Sequence, residues 1–303
     1  VIGTGPKVAF LGLGVMGAPM AGHLAAADYQ ITVYNRNPNK ALAWVALNRG
    51  FAKPTAAEAV EGADFVMMCV GNDDDVRSVV MGATGTGADG ALGAMKPGSI
   101  LIDHTTASAD LARELSAACA ERGVGFVDAP VSGTVAPAKI GKLLVMCGAS
   151  DEDFKTAEPI LNVFGRRIVH AGPVGQGTVL KLVVNLPLAV YWGSLAEAIA
   201  MGTQGGLDLD LMLDTIQDSS AALAVLGLKI PTIMGEPSPV AFDVASMKKD
   251  LLSMLDTGEK FGVPMPATNG VLETYSATID GGFADADAVE VIRYVTEKMT
   301  QPK

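Results

Sequence analysis

Lys181 stands where a charge is expensive. From Thr178 to Met201 the chain is apolar around nearly its whole circumference, which predicts a long helix buried in protein. Lys181 and Asn185, four residues apart, fall on one face of that helix, one turn from each other. An isolated ammonium in such surroundings is costly unless it is paired, solvated in a cleft or partly deprotonated. Two readings follow. In one, Lys181 snorkels to solvent from near the helix start. In the other, a lysine of lowered pKa serves proton transfer, with Asn185 beside it in a pocket. The helix alone favours neither.

A second group of residues is suited to holding a dinucleotide. Lys7–Leu11 (KVAFL) reads as a short strand and runs into Gly12-Leu13-Gly14-Val15-Met16-Gly17. Ala18–Ala27 then reads as helix and Ile31–Tyr34 as a second strand. In this order Gly12 permits the tight turn, Gly14 lets the backbone approach a pyrophosphate, and Gly17 lets the helix pack on the strand. The helix N-terminus offers N–H groups to the phosphates. After the second strand NAD-binding chains usually place an acid for the ribose, whereas this chain has Asn35-Arg36-Asn37. That run also suits a surface turn. In this position, with no carboxylate to repel a 2′-phosphate and Arg36 able to pair with it, it predicts NADP, NADPH being preferred over NADH.

The elements that must position these groups alternate. Leu42–Asn48, Val76–Met81, Leu111–Arg122 and Phe154–Phe164 read as helices. Phe65–Val70, Ile100–Asp103, Gly125–Val127, Leu143–Cys147 and Arg167–His170 read as strands. Such alternation predicts an α/β fold, a Rossmann-type doubly wound parallel sheet. Ligands gather beyond the carboxyl ends of its strands, which puts the Val70-Gly71-Asn72-Asp73, Asp103–Thr106 and Asp128–Thr134 loops on the cofactor side. Asp73-Asp74-Asp75 reads as the cap of the following helix rather than a metal site. Ser132-Gly133-Thr134 offers hydroxyls and a permissive backbone that could grip a carboxylate, and reads equally well as a structural turn.

Beyond Gly172-Pro173 no strand is expected. Leu207–Gln217, Ala221–Leu228, Met247–Phe261, Pro266–Asp280 and Ala284–Met299 all read as helices. The expected division is a dinucleotide-binding domain over 1–172 and an all-helical domain over 173–303, joined by the long helix. Pro187 predicts a kink in that helix. Lys248, Lys249 and Asp250 follow one another, so one helical face cannot hold all three.

With 303 residues, 49% hydrophobic content and 18% charged residues, the chain can bury a large core. A net charge of −11 argues against nucleic acid or an anionic membrane as partner. No apolar run is expected to reach a bilayer span, and the N-terminus carries no signal-like pattern. The start at Val1 suggests replaced or trimmed residues. Cys69, Cys119 and Cys147 read as reduced core cysteines, which points to the cytoplasm. With His23, His104 and His170 dispersed, no metal site is expected.

These motifs together resemble the β-hydroxyacid dehydrogenase family typified by 3-hydroxyisobutyrate dehydrogenase. The resemblance runs from GLGVMGAPMAGHL (12–24) through DAPVSG (128–133) and GQGTVLKLVVN (175–185) to FDVASMKKDL (242–251). It implies that Lys181 is the acid/base and that Asn185 orients the reacting oxygen. It also implies that Ser132, Gly133 and Thr134 hold a substrate carboxylate. Thr106, Lys249 and the Val70–Asn72 loop would reach the cofactor, and Phe242 and Asp250 would line the cleft. The implied reaction passes hydride between NADP(H) and a small 3-hydroxy or 2-hydroxy acid or its aldehyde acid. 3-Hydroxyisobutyrate, tartronate semialdehyde, glyoxylate and succinic semialdehyde are examples. Three positions depart from the family pattern: Thr134 stands for a second glycine, Lys142 for a threonine, and Asn35-Arg36 for the acid of NAD-dependent members. The last makes the chain similar to the glyoxylate/succinic semialdehyde reductase branch. Imine reductases share the cofactor half but typically lack a lysine at position 181, and a non-catalytic NADP-binding module is a further alternative. 6-Phosphogluconate dehydrogenase has a longer helical domain. The apolar helical domain suggests a homodimer or homotetramer.

Overall fold

The computed structural model describes residues 5–87 and 90–299, so the Val1 start lies outside the described residues. Its N-terminal part forms one nine-stranded sheet. The strands are β1 (Lys7–Leu11), β2 (Gln30–Tyr34), β3 (Phe51–Ala52), β4 (Phe65–Met68) and β5 (Ile100–Asp103). They continue with β6 (Gly125–Asp128), β7 (Val131–Ser132), β8 (Leu143–Gly148) and β9 (Gly165–Gly172). The order is β3-β2-β1-β4-β5-β6-β8-β7, with β9 on β8. From β3 to β6 every pairing is parallel. β8 runs antiparallel to β6 and β7 and parallel to β9.

Both faces of the sheet are buried, which is why its strands read as continuous apolar runs. Val8 and Phe10 of β1 join Ile31, Val33, Met67 and Ile102 in one core. Ala9 and Leu11, pointing the other way, join Val66, Met68 and Leu101 in a second. The strand expected over Phe65–Val70 ends at Met68, because the Val70 amide leaves the ladder and donates to Thr105 Oγ1 at 3.1 Å. β3, β7 and the helices Ala56–Val60, Ala91–Ala94 and Val135–Lys139 were not expected. At two to five residues each, they are too short to show a period.

Compactness divides the chain into Val1–Lys181 and Leu182–Lys303, the division falling inside helix Gln176–Gln204. Among the described residues the second unit holds no strand, only an isolated antiparallel bridge between Asp243 and Asp287. Its core gathers Trp192, Ala196 and Ile199 of the long helix with Leu213, Met247, Leu251 and Tyr275. The remaining helices include Leu209–Asp218, Leu226–Ile233, Val244–Lys260 and Pro266–Thr278.

Four expectations need correction here. The long helix is not buried all round: Val183 is 60% and Met201 75% exposed, and Trp192, Ala196 and Ile199 mark one inner face. Its 29 residues are also long and apolar enough to cross a membrane by length and composition alone, contrary to the sequence reading. The helix expected over Ala221–Leu228 begins only at Leu226, because Ser219 turns the chain, its hydroxyl accepting from the Ala221 amide. The helix expected over Ala284–Met299 breaks as well. Asp287 accepts from the Val289 amide and starts a short 3-10 turn, Ala288–Glu290, before Val291–Tyr294. The helix continues through Pro187, although proline supplies no amide hydrogen there.

Candidate active site

The glycine turn follows β1 directly. Gly12 has φ +98°, and a Cβ there would strike the Cys69 carbonyl. A Cβ at Gly17 would strike the Gly12 carbonyl and stand 3.1 Å from Phe10. A Cβ at Gly14 would meet nothing within 4 Å, so this side of its backbone is open to an approaching ligand. The two outer glycines therefore serve the protein and the middle one serves a ligand. A groove of about 740 Å³ opens here, lined by Gly12, Gly14–Gly17, Tyr34–Asn37 and the Cys69–Gly71 loop. Leu13 is buried instead. Its amide donates to Asn35 Oδ1 at 2.8 Å, so Asn35 ties the end of β2 to the turn. This groove fits a dinucleotide: open glycine backbone, a helix start, and an arginine at the β2 end.

Several details differ from the sequence reading. Asn72, rather than the three aspartates, caps helix Asp73–Met81, accepting from the Asp75 amide at 2.9 Å; the aspartates fill its first turn. A carboxylate does reach the β2 end, because Asp75 Oδ1 lies 2.7 Å from Arg36 Nη1. Asn72 and Thr106 are not among the groove-lining residues. Cys69 is half-buried, packing against the core and lining the groove as well. Cys119 and Cys147 are buried, and burial pushes both thiols up to about 12.

The loop after β6 anchors the lysine-bearing helix. Asp128 accepts from the Gly175 amide at 2.7 Å, the Thr178 amide at 2.8 Å and the Thr178 hydroxyl at 3.2 Å. Burial pushes its carboxyl up to about 6 against those bonds. Lys181, 8% exposed, lies three residues beyond Thr178. The Ser132–Thr134 segment turns at Gly133, whose φ is +135° and where a Cβ would crowd Leu143 and Pro137. Thr134 opens helix Val135–Lys139 without a side-chain cap, and Lys142 is exposed. Beneath this loop His104 is buried, its Nδ1 donating to the Ala129 carbonyl at 2.7 Å. Burial pushes His104 down to about 4 and neighbouring Asp103 up to about 7.

In the second unit, Asn185 Nδ2 donates to Asp250 Oδ2 at 3.1 Å. Asp250 is 1% exposed, and Lys249 Nζ lies 3.4 Å from its other oxygen. That oxygen is buried with no hydrogen-bond partner in proper geometry, so the lysine contact is electrostatic. Phe242 is half-buried and packs on the helical core. Its carbonyl accepts from the Ala288 amide at 2.8 Å. Asp243 then caps helix Val244–Lys260, which carries Lys249 and Asp250.

Residues 7–172 match the family described as the NAD binding domain of 6-phosphogluconate dehydrogenase. Residues 175–295 match the one described as NAD-binding of NADP-dependent 3-hydroxyisobutyrate dehydrogenase. An uncharacterised oxidoreductase of Shewanella frigidimarina is 37% identical over 97% of this chain and 96% of its own length. The chain belongs to the β-hydroxyacid dehydrogenase family. A second relative, the NAD-dependent L-serine dehydrogenase of Pseudomonas aeruginosa, is 33% identical over 93% of this chain and 95% of its own. Among solved structures, Mycobacterium tuberculosis 3-hydroxyisobutyrate dehydrogenase with L-serine is similar with a TM-score of 0.81 and 29% identity. That match covers 96% of this chain and 99% of the mycobacterial one. The chain is thus an NAD(P)-dependent oxidoreductase of the hydroxyacid dehydrogenase type.

Three residues of this dehydrogenase escaped the sequence reading: Asp128 as helix anchor, Asp75 as partner of Arg36, and His104 beneath the β6 loop. Asp128 and Gly175 are 47 residues apart, and Arg36 and Asp75 are 39 apart. No local spacing signals such pairs. Only the parallel sheet, by setting strand ends side by side, brings them together.

Proposed function

We propose that this dehydrogenase passes hydride between NADP(H) and a small 3-hydroxy or 2-hydroxy acid or the corresponding aldehyde acid, with Lys181 as acid/base. The observation that carries this reading is the buried lysine on a helix whose first turn Asp128 fixes. The bound nicotinamide supplies or accepts the hydride. Lys181 Nζ gives a proton to the carbonyl oxygen in reduction and removes it from the hydroxyl in oxidation. Asn185 helps hold that oxygen, its amide oriented by Asp250. Ser132 and the Gly133 and Thr134 amides grip the substrate carboxylate, which fixes the reacting carbon.

Two names support the substrate class: L-serine, itself a 3-hydroxy acid, is the substrate in one relative's name and accompanies the mycobacterial structure. NADP preference rests on Arg36 and on the absence of an acid at 35–37. The test is cofactor oxidation with NADPH and NADH in parallel over glyoxylate and the tartronate, methylmalonate and succinate semialdehydes, beside a cyclic imine. NADPH-dependent turnover of one of these aldehyde acids is expected. Turnover of the imine alone would overturn the reading.

A further inference from the structure

Arg36 is not held by backbone alone. Its Nη1 lies 2.7 Å from Asp75 Oδ1, although the arginine side chain is 84% exposed and Asp75 only 26%. The backbone beneath the carboxylate is placed by the start of helix Asp73–Met81. The Asp75 amide donates to Asn72 Oδ1, and Gly71 is closely apposed to Asp75 Oδ2, where any Cβ at 71 would collide. Arg36, Gly71 and Asp75 all line the one groove beside the glycine turn. A half-buried anion and an exposed cation thus share the corner where the ribose end of a dinucleotide is expected.

We propose that Asp75 is a specificity-determining residue that limits the preference for NADPH by competing with the 2′-phosphate for Arg36. The inference rests on the cofactor reading given above. In the absence of cofactor the guanidinium is satisfied by Asp75. A 2′-phosphate must draw it away, or share it while standing near that carboxylate. NADH asks nothing of Arg36 and bears no such cost. The exchange is affordable because an ion pair this exposed is weakly held. It is not free, because the Asp75 backbone, in the first turn of helix Asp73–Met81 with its amide on Asn72, keeps the carboxylate beside Arg36.

The test is equilibrium titration of NADPH and NADH, with no substrate, against wild type, Asp75→Asn, Arg36→Ala and the double variant. Asp75→Asn keeps the side chain's size and leaves its backbone bond to Asn72. It is expected to tighten NADPH by about two- to fivefold, the span of an exposed charge pair, with NADH unchanged. The gain is expected to vanish in the Arg36→Ala background. Looser NADPH binding in Asp75→Asn would mean that Asp75 props the arginine, and would overturn the inference. Equal shifts for both cofactors would mark a structural role and do the same. Arg36→Ala that abolishes NADPH preference beside an inert Asp75→Asn would overturn this inference while leaving the cofactor reading intact. Arg36→Ala without effect on preference would remove both.

Discussion

Gly12 and Gly14 sit two residues apart and answer to different constraints. At Gly12 a methyl group would meet the Cys69 carbonyl in a backbone of φ +98°. Gly12→Ala is expected to destabilise the fold by about 2 kcal/mol or more, seen as a lower Tm without any ligand. A Cβ added at Gly14 would meet no atom within 4 Å beyond its chain neighbours. Gly14→Ala is expected to leave Tm unchanged while weakening cofactor binding, and a Tm loss equal to that of Gly12→Ala would contradict this division. Asp103 offers a test of another kind. Burial raises its carboxyl from 3.8 to about 7, so the folded state keeps a proton that the unfolded chain releases. The stability linked to it is complete below about pH 4 and is lost as pH rises through about 7. Asp103→Asn cannot titrate, so its Tm relative to wild type is expected to climb between those limits; a constant offset would contradict the buried acid. His104 titrates in both proteins and drops out of the difference. Such residues were only partly legible. The glycine turn, and the placement of Lys181 and Asn185 one turn apart on a long helix, could be read from type and spacing, because local geometry fixes them. Asp75, Asp103 and His104 could not, because burial and partners arrive from other strands.

At the scale of elements, long periodic segments were readable and short ones were not. β1, β2, β5 and the helices Ala109–Ala120 and Val244–Lys260 lie close to where apolar pattern and capping residues put them. β3, β7 and helix Val135–Lys139 exist only because neighbours support them. The C-terminal helices were misjudged for a related reason: Ser219 and Asp287 use side chains to turn the backbone, and an apolar count does not register that. The element that matters most for chemistry is the start of helix Gln176–Gln204. Asp128→Ala removes the acceptor of three hydrogen bonds and leaves two buried amides unsatisfied. It is expected to cost about 2 kcal/mol in urea unfolding and to depress turnover through Lys181. Unchanged stability would mean that the helix start is held some other way.

For the molecule as a whole, the alternation of strand-like and helix-like segments was enough to indicate a parallel sheet followed by helices, since strands cease near residue 173. Assembly was less legible, because surface apolar residues do not name their partner. In the second unit Leu207, Leu211, Leu228 and Phe261 are each more than half exposed. We propose that copies of this chain cover such residues, so light scattering after gel filtration is expected to give a dimer or tetramer rather than a monomer. The central claim is that Lys181 moves the proton, and one comparison tests it most directly: kcat of Lys181→Ala against wild type on whichever aldehyde acid turns over, with the NADPH Kd measured on both proteins. The account predicts a kcat loss of about a hundred- to ten-thousandfold with the Kd essentially unchanged. A variant that keeps near-normal turnover would contradict it.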